Sequence, residues 1–120
     1  MRIEIHTESN TLPALIKGNA MHSALMFRAL EQSNGYRPYM LVGYDSEGAE
    51  LGHLLIMSRR SIHPLPPILH YRYTINGEGV YRDDCSRQER ESIFTAFLDR
   101  IFGMLDFRHT SIEVTNIEDQ

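Results

Sequence analysis

Hydrophobic and polar positions change period several times along the 120-residue chain, and each change marks an expected element. Arg2-Ile3-Glu4-Ile5-His6 alternates with period two, the pattern of a strand with one buried face. Asn10 and Thr11 then offer capping oxygens ahead of Pro13, which predicts a short first helix interrupted at Gly18-Asn19. Ser23 can cap a second helix, whose Met26, Phe27 and Leu30 recur at helical spacing. Asn34-Gly35 ends it, since both residues tolerate the left-handed conformation. Tyr39–Tyr44 and Leu51–Ser58 are β-rich runs on either side of Asp45-Ser46-Glu47-Gly48, so a hairpin is expected there. Leu54-Leu55-Ile56-Met57 is apolar on both faces, as in a central strand covered from both sides.

His63-Pro64-Leu65-Pro66-Pro67 cannot supply a continuous row of backbone donors and predicts a loop. Ile68–Ile75 alternates again, with Leu69, Tyr71, Tyr73 and Ile75 on one face and His70, Arg72 and Thr74 on the other. Ser86-Arg87-Gln88-Glu89 has the form of a capping box. Behind it, Ile93, Phe94, Phe97, Leu98, Ile101, Phe102 and Leu105 make one broad apolar stripe at helical period. A last strand follows over Thr110–Ile117. The order β-α-α-β-β-β-α-β gives an α+β domain over residues 1–120, with a mixed, mostly antiparallel sheet and helices packed on it. A strand, a long helix and a strand in succession predict a parallel crossover, with Ser111–Asn116 beside Ile68–Ile75. That final strand would be a sheet edge carrying Ile112 and Val114. The expectation is that a second copy or further chain covers it, the domain being the N-terminal part of a longer fold and a homodimer in solution.

A composition of 42% hydrophobic and 23% charged residues belongs to a globular chain. The net charge of -4 excludes a general nucleic-acid binder, which needs a basic surplus against phosphates. No run reaches the apolar length of a membrane span, and the N-terminal alternation is not that of a signal peptide, so a cytoplasmic protein is expected. Cys85 is the only cysteine, which leaves no intrachain disulfide, and its acidic neighbours Asp83 and Asp84 disfavour a thiolate.

Candidate chemistry is sparse. Six histidines, at 6, 22, 53, 63, 70 and 109, form no local metal-binding pattern, so no metal is expected. His53 and His70 fall on strands, His70 sharing a polar face with Arg72 and Thr74. No nucleophile elbow or P-loop occurs. Arg59-Arg60 reads either as a solvated strand end or as counter-charge for one phosphate-bearing ligand. Thr74-Ile75-Asn76-Gly77-Glu78-Gly79 leaves a strand and leads towards the capped helix. Alternate glycines there suit a plain turn, and they equally let main-chain N–H groups approach an anion.

The element order, together with Met21–Phe27, Pro38–Val42, Gly52-His53-Leu54-Leu55 with Ser58-Arg59-Arg60, Leu65–Leu69 and Gly77-Glu78-Gly79, resembles the acyl-CoA N-acyltransferase (GNAT) superfamily. Within it the chain looks most similar to half-domains of Fem-type aminoacyl transferases. The resemblance implies transfer of an acyl or aminoacyl group, from a coenzyme A thioester or an aminoacyl-tRNA, to an amine. It implies donor binding where the fourth and fifth strands splay. The main-chain N–H groups of Gly77 and Gly79 would hold the donor, with Arg59, Arg60 and Arg72 as counter-charges. Thr74 stands where that superfamily has Gln or Arg. Catalysis of this kind relies on positioning and main-chain oxyanion stabilisation, so no general base is named. A different class also fits the residues: a non-catalytic interaction module that pairs through its unfinished sheet edge.

Overall fold

The computed structural model describes residues 1–18, 20–64, 67–104 and 110–115, with side chains described for 1–18, 20–59 and 72–104. The alternating N-terminus is strand β1 (Arg2–His6), paired antiparallel with β2 (Tyr36–Tyr44) in the register Arg2↔Tyr44 to His6↔Met40. The next antiparallel partner is β3 (Glu50–Pro64), followed by β4 (Pro67–Asn76). Two-residue β5 (Val80–Tyr81) also pairs with β3, and β6 (Thr110–Thr115) lies parallel to β4. The sheet runs β1-β2-β3-β4-β6, so it is mixed and mostly antiparallel, as the hydrophobic pattern predicts.

Helix α1 (Ala24–Glu31) begins where Ser23 accepts the Met26 N–H at 3.1 Å, the expected cap. Its Phe27 and Leu30 pack with Met40, Val42, Tyr44 and Leu55 on one face of the sheet. Helix α2 (Arg87–Met104) covers the other face, burying Ile93, Phe97 and Ile101 against Leu41, Leu54, Ile56 and Ile75. Both halves of its capping box form: Glu89 N–H donates to Ser86 Oγ and Ser86 N–H to Glu89 Oε1, each at 3.1 Å. Phe94 is only partly buried, because the stripe centres on positions 93, 97 and 101; Leu105 lies outside the described residues. Leu54 and Leu55 pack into opposite cores, which is why this strand is apolar on both faces.

Three expectations are corrected. The first helix of the expected order is absent among the described residues: Ser9–Thr11 and Ala20–His22 are two short 3-10 turns, and residues 12–18 carry no regular secondary structure. Leu12 precedes Pro13 and takes φ −64°, ψ 131°, since the proline ring disfavours the helical region for the residue before it. At the far end of that segment, a Cβ on Gly18 would stand 2.3 Å from Val80 Cγ2, so glycine is what lets it dock on β5. The proline-rich stretch is not a long loop, because β3 and β4 extend to the pair Pro64↔Pro67, with Leu65-Pro66 outside the described residues. Proline is tolerated at a strand's last or first position, where it interrupts no continuing ladder. Finally β5, absent from the expected order, lies between β4 and α2. The positions Asn116 and Ile117 of the expected last strand lie outside the described residues.

Candidate functional site

On the side of β3 that faces β4 and β5, the ladder is interrupted between the two partners. The last β3–β4 pair before the break is Ile56↔Ile75, and the first β3–β5 pair after it is His53↔Val80. Leu54 and Leu55 thus face Asn76, Gly77, Glu78 and Gly79, a bulge with two surplus residues. Gly77 (φ 71°) and Gly79 (φ 93°) both adopt positive φ, and a Cβ on Gly79 would sit 2.6 Å from the His53 carbonyl oxygen. Only glycine fits there without strain. The Tyr81 hydroxyl donates to the Glu78 carbonyl and ties the turn down; burial pushes that phenol well above its usual range, and Glu78 adds to the shift. The bulge sits at the carboxyl end of β4, where β4 and β6 run parallel up to Asn76↔Thr115.

A bulge frees backbone groups that the ladder would have paired, and buried ones need partners. His22 provides them, and His53 holds His22 in place. His22, 2% exposed at the end of the second 3-10 turn, accepts the Leu55 N–H on Nδ1 at 2.9 Å. Its Nε2 faces the Asn76 carbonyl at 2.5 Å, and a carbonyl only accepts, so Nε2 carries the proton and the ring is neutral. Burial holds the His22 imidazole below its ordinary range; the Asn76 carbonyl works against this, and nearby His53 adds to it. His53, 1% exposed, donates from Nε2 to the His22 carbonyl at 2.7 Å. Its Nδ1 meets Glu50 Oε2, also at 2.7 Å, so a proton is held between ring and carboxylate. Glu50 Oε1 accepts the Ile16 N–H at 3.1 Å, which anchors residues 12–18 to β3. The line Ile16–Glu50–His53–His22–Leu55/Asn76 therefore runs from the surface into the break.

Glu50 also lines an open groove of about 510 Å³, with Ala14, Leu15, Ile16, Arg82, Asp83 and Asp84. Arg82 pairs with Asp45 at 2.9 Å and Asp84 at 2.7 Å, and this guanidinium holds the Asp45 carboxyl below its usual range. Cys85 is buried, and burial followed by its acidic neighbours pushes the thiol up, in keeping with an inert side chain. On α2, the Arg90 charge acts on the Tyr81 hydroxyl, and Arg90 Nε is buried with no hydrogen-bond partner among the described residues.

The residues singled out from the sequence fall into two separate groups. Gly77 and Gly79 share the bulge. Arg59 and Arg72 are cross-strand neighbours on β3 and β4, both exposed, and the Arg59 guanidinium lies 5.9 Å from the centre of the Tyr36 ring. Arg60 pairs with Tyr71 in the ladder; its side chain, like that of His70, is outside the described residues. Arg72 precedes Gly77 by five residues, a separation of roughly 16 Å at the rise of a strand, so the two groups do not converge on one small anion. β4 and β6 stay paired through residue 115, so no splay occurs among the described residues. His22, Glu50 and Arg90 are what the sequence reading left out. One signal pointed towards the network: a histidine, His53, inside an otherwise apolar run.

Among the described residues no three His, Cys, Asp or Glu side chains gather as metal ligands, and no helix is long and apolar enough to cross a membrane. No protein-family model and no curated protein matches the sequence. The solved structures similar to this chain include a tetramutant of the BH1408 protein from Bacillus halodurans, 16% identical with a TM-score of 0.47, covering 81% of this chain and 58% of that one. A ribosomal-protein-alanine N-acetyltransferase from Brucella melitensis biovar Abortus 2308 is 14% identical with a TM-score of 0.45, over 79% of this chain and 61% of that one. This chain thus spans less than two thirds of the length of either structure.

Proposed function

We propose that this is an acyltransferase-type domain whose donor, an acyl thioester of coenzyme A, docks at the β4 bulge. The observation that carries the reading is the position of that bulge. It lies at the carboxyl end of a parallel strand pair, the side on which open sheets with helical crossovers receive ligands. There the ladder is interrupted, and two glycines at positive φ remove the side chains that would keep an anion from the main chain. Arg90 supports the reading as a cation whose charge reaches the Tyr81 hydroxyl that ties this turn, with its Nε unpaired among the described residues. The resemblance noted in the sequence agrees with it, and an aminoacyl-tRNA remains the donor that a Fem-type relationship would imply. Arg59, beside the Tyr36 ring, and its cross-strand neighbour Arg72 lie too far along the sheet for the pyrophosphate, so they would meet a more distant phosphate of the donor.

Isothermal titration tests this directly. Coenzyme A should give a saturable isotherm, weakened at least about tenfold by Arg90→Gln, the loss of one charge-assisted hydrogen bond to phosphate. The absence of both heat and thermal shift at millimolar coenzyme A contradicts the reading.

One observation favours an alternative, an interaction module that pairs through its sheet edge as a homodimer: among the described residues β6 has β4 on one side and no strand on the other. An open edge is a template for another strand. Sedimentation at micromolar concentration combined with coenzyme A titration separates the two readings, since a dimer indifferent to coenzyme A belongs to the second.

A further inference from the structure

The break between β3 and β4 is bridged by a side chain rather than left to solvent. Leu55 N–H and Asn76 C=O are held apart by the width of the His22 ring and its two hydrogen bonds, up to roughly 7 Å instead of the ~2.9 Å of a direct ladder bond. The ring meets a donor on one strand and an acceptor on the other, so it replaces a rung of the ladder. Its own main chain is clamped as well, since the His22 carbonyl accepts from His53, which Glu50 holds in turn. Ser23, the next residue, caps α1 and fixes where the turn ends.

We propose that the neutral His22 imidazole is a removable rung, a positioning residue that holds the Asn76–Gly79 bulge in register and releases it on protonation. A proton on Nδ1 converts the acceptor of the Leu55 N–H into a second donor. Two donors then face each other in a buried site, and the bond is lost without a replacement. Among the described residues the titratable group that acts on the ring is His53 from β3, with Glu50 behind it. The Asn76 carbonyl of β4 and the Ser23 cap of α1 are uncharged. A charge on His22 would also stand close to the His53 ring, which adds to its cost. The direction in pH follows. Burial depresses His22 in the folded state, so the bridge stands fully above the ordinary histidine value of about 6.5 and weakens as pH falls below it. The proposal concerns the chain itself and stands or falls separately from the acyl-transfer reading.

Amide hydrogen exchange on the full chain, read by nuclear magnetic resonance, tests it. Between about pH 7.5 and about pH 5, uptake of one proton by the open form should lower the protection factor of Leu55, by up to roughly thirtyfold. The Ile56 amide, in the continuous ladder, should lose several-fold less. His22→Gln presents an acceptor and a donor separated much as the ring nitrogens are, but it does not titrate. In this variant Leu55 should remain protected at neutral pH and lose the steep acid dependence. Equal acid loss in His22→Gln and the wild type overturns the proposal, as does a wild-type Leu55 amide indifferent to pH. If the variant does not fold, the wild-type ring ¹⁵N spectrum decides. An unprotonated Nδ1 with a protonated Nε2 at neutral pH is the expected result, and a protonated Nδ1 refutes the bridge.

Discussion

The two halves of β3 are built differently. From Ile56 to Pro64 the strand pairs residue for residue with β4, and backbone bonds form the connection. From Glu50 to Leu55 it meets a bulge, a two-residue strand and the His22 ring, whose nitrogens stand in for a missing rung while His53 holds the His22 main chain. The first half can be built from many sequences, because any residue able to extend supplies an N–H and a C=O. The second half depends on particular residues: glycine at 77 and 79, histidine at 22 and 53, glutamate at 50. Specific side chains stand here in place of a plain ladder, and in the proposed reading this is the half that receives the donor.

The largest expected effect strikes both halves together. Phe97 is fully buried in the same core as Leu54 of one half and Ile56 of the other. Phe97→Ala should cost about 3–5 kcal/mol by chemical denaturation, with both halves lost in one transition. A loss under about half a kilocalorie would mean α2 does not anchor the sheet. His22→Leu comes next. It leaves the Leu55 N–H and Asn76 carbonyl without this partner, at about 1–3 kcal/mol for each group left unsatisfied. Exchange should accelerate at Leu55 much more than at Ile56, and uniform acceleration would erase the distinction between the halves. Gly79→Ala should cost about 1–3 kcal/mol through its positive φ and its contact with the His53 carbonyl. A stable Gly79→Ala protein would show that the turn is not held as described. Smallest is Ser23→Ala, about 1 kcal/mol for a lost helix cap, read as a shift in denaturation midpoint without a change in slope.

The start of the continuous half, α2 and the β2–β3 turn were legible because their signals are local, whereas the run of β3 on to Pro64 was hidden by prolines that read as a loop. A capping box spans four residues, a helical stripe repeats within a few turns, and Asp45 Oδ1 secures its own turn by accepting the Glu47 and Ala49 N–H groups at 2.9 Å. The bridged half was not legible, because His22 finds its partners 33 and 54 residues away and no period connects them. Gly77 and Gly79 were visible as a turn. That their turn is a bulge became apparent only with β5, too short at two residues to carry a pattern. Over residues 9–22 helical capping signals were present, yet Pro13 forced Leu12 out of the helical region and Gly18 was needed for packing on Val80. Of the expected site residues, the glycine pair and the arginine pair were each recognisable. Their separation depends on how far the ladder runs before it breaks, a tertiary quantity.

Amide chemical-shift mapping during titration with coenzyme A tests most directly whether the bridged half is the binding half. The prediction is that saturable shifts concentrate at Gly77, Glu78, Gly79 and Leu55, and that Arg90→Gln weakens them without altering the unliganded spectrum around Ile56. Shifts confined to the continuous half, or none at saturating ligand, would contradict it.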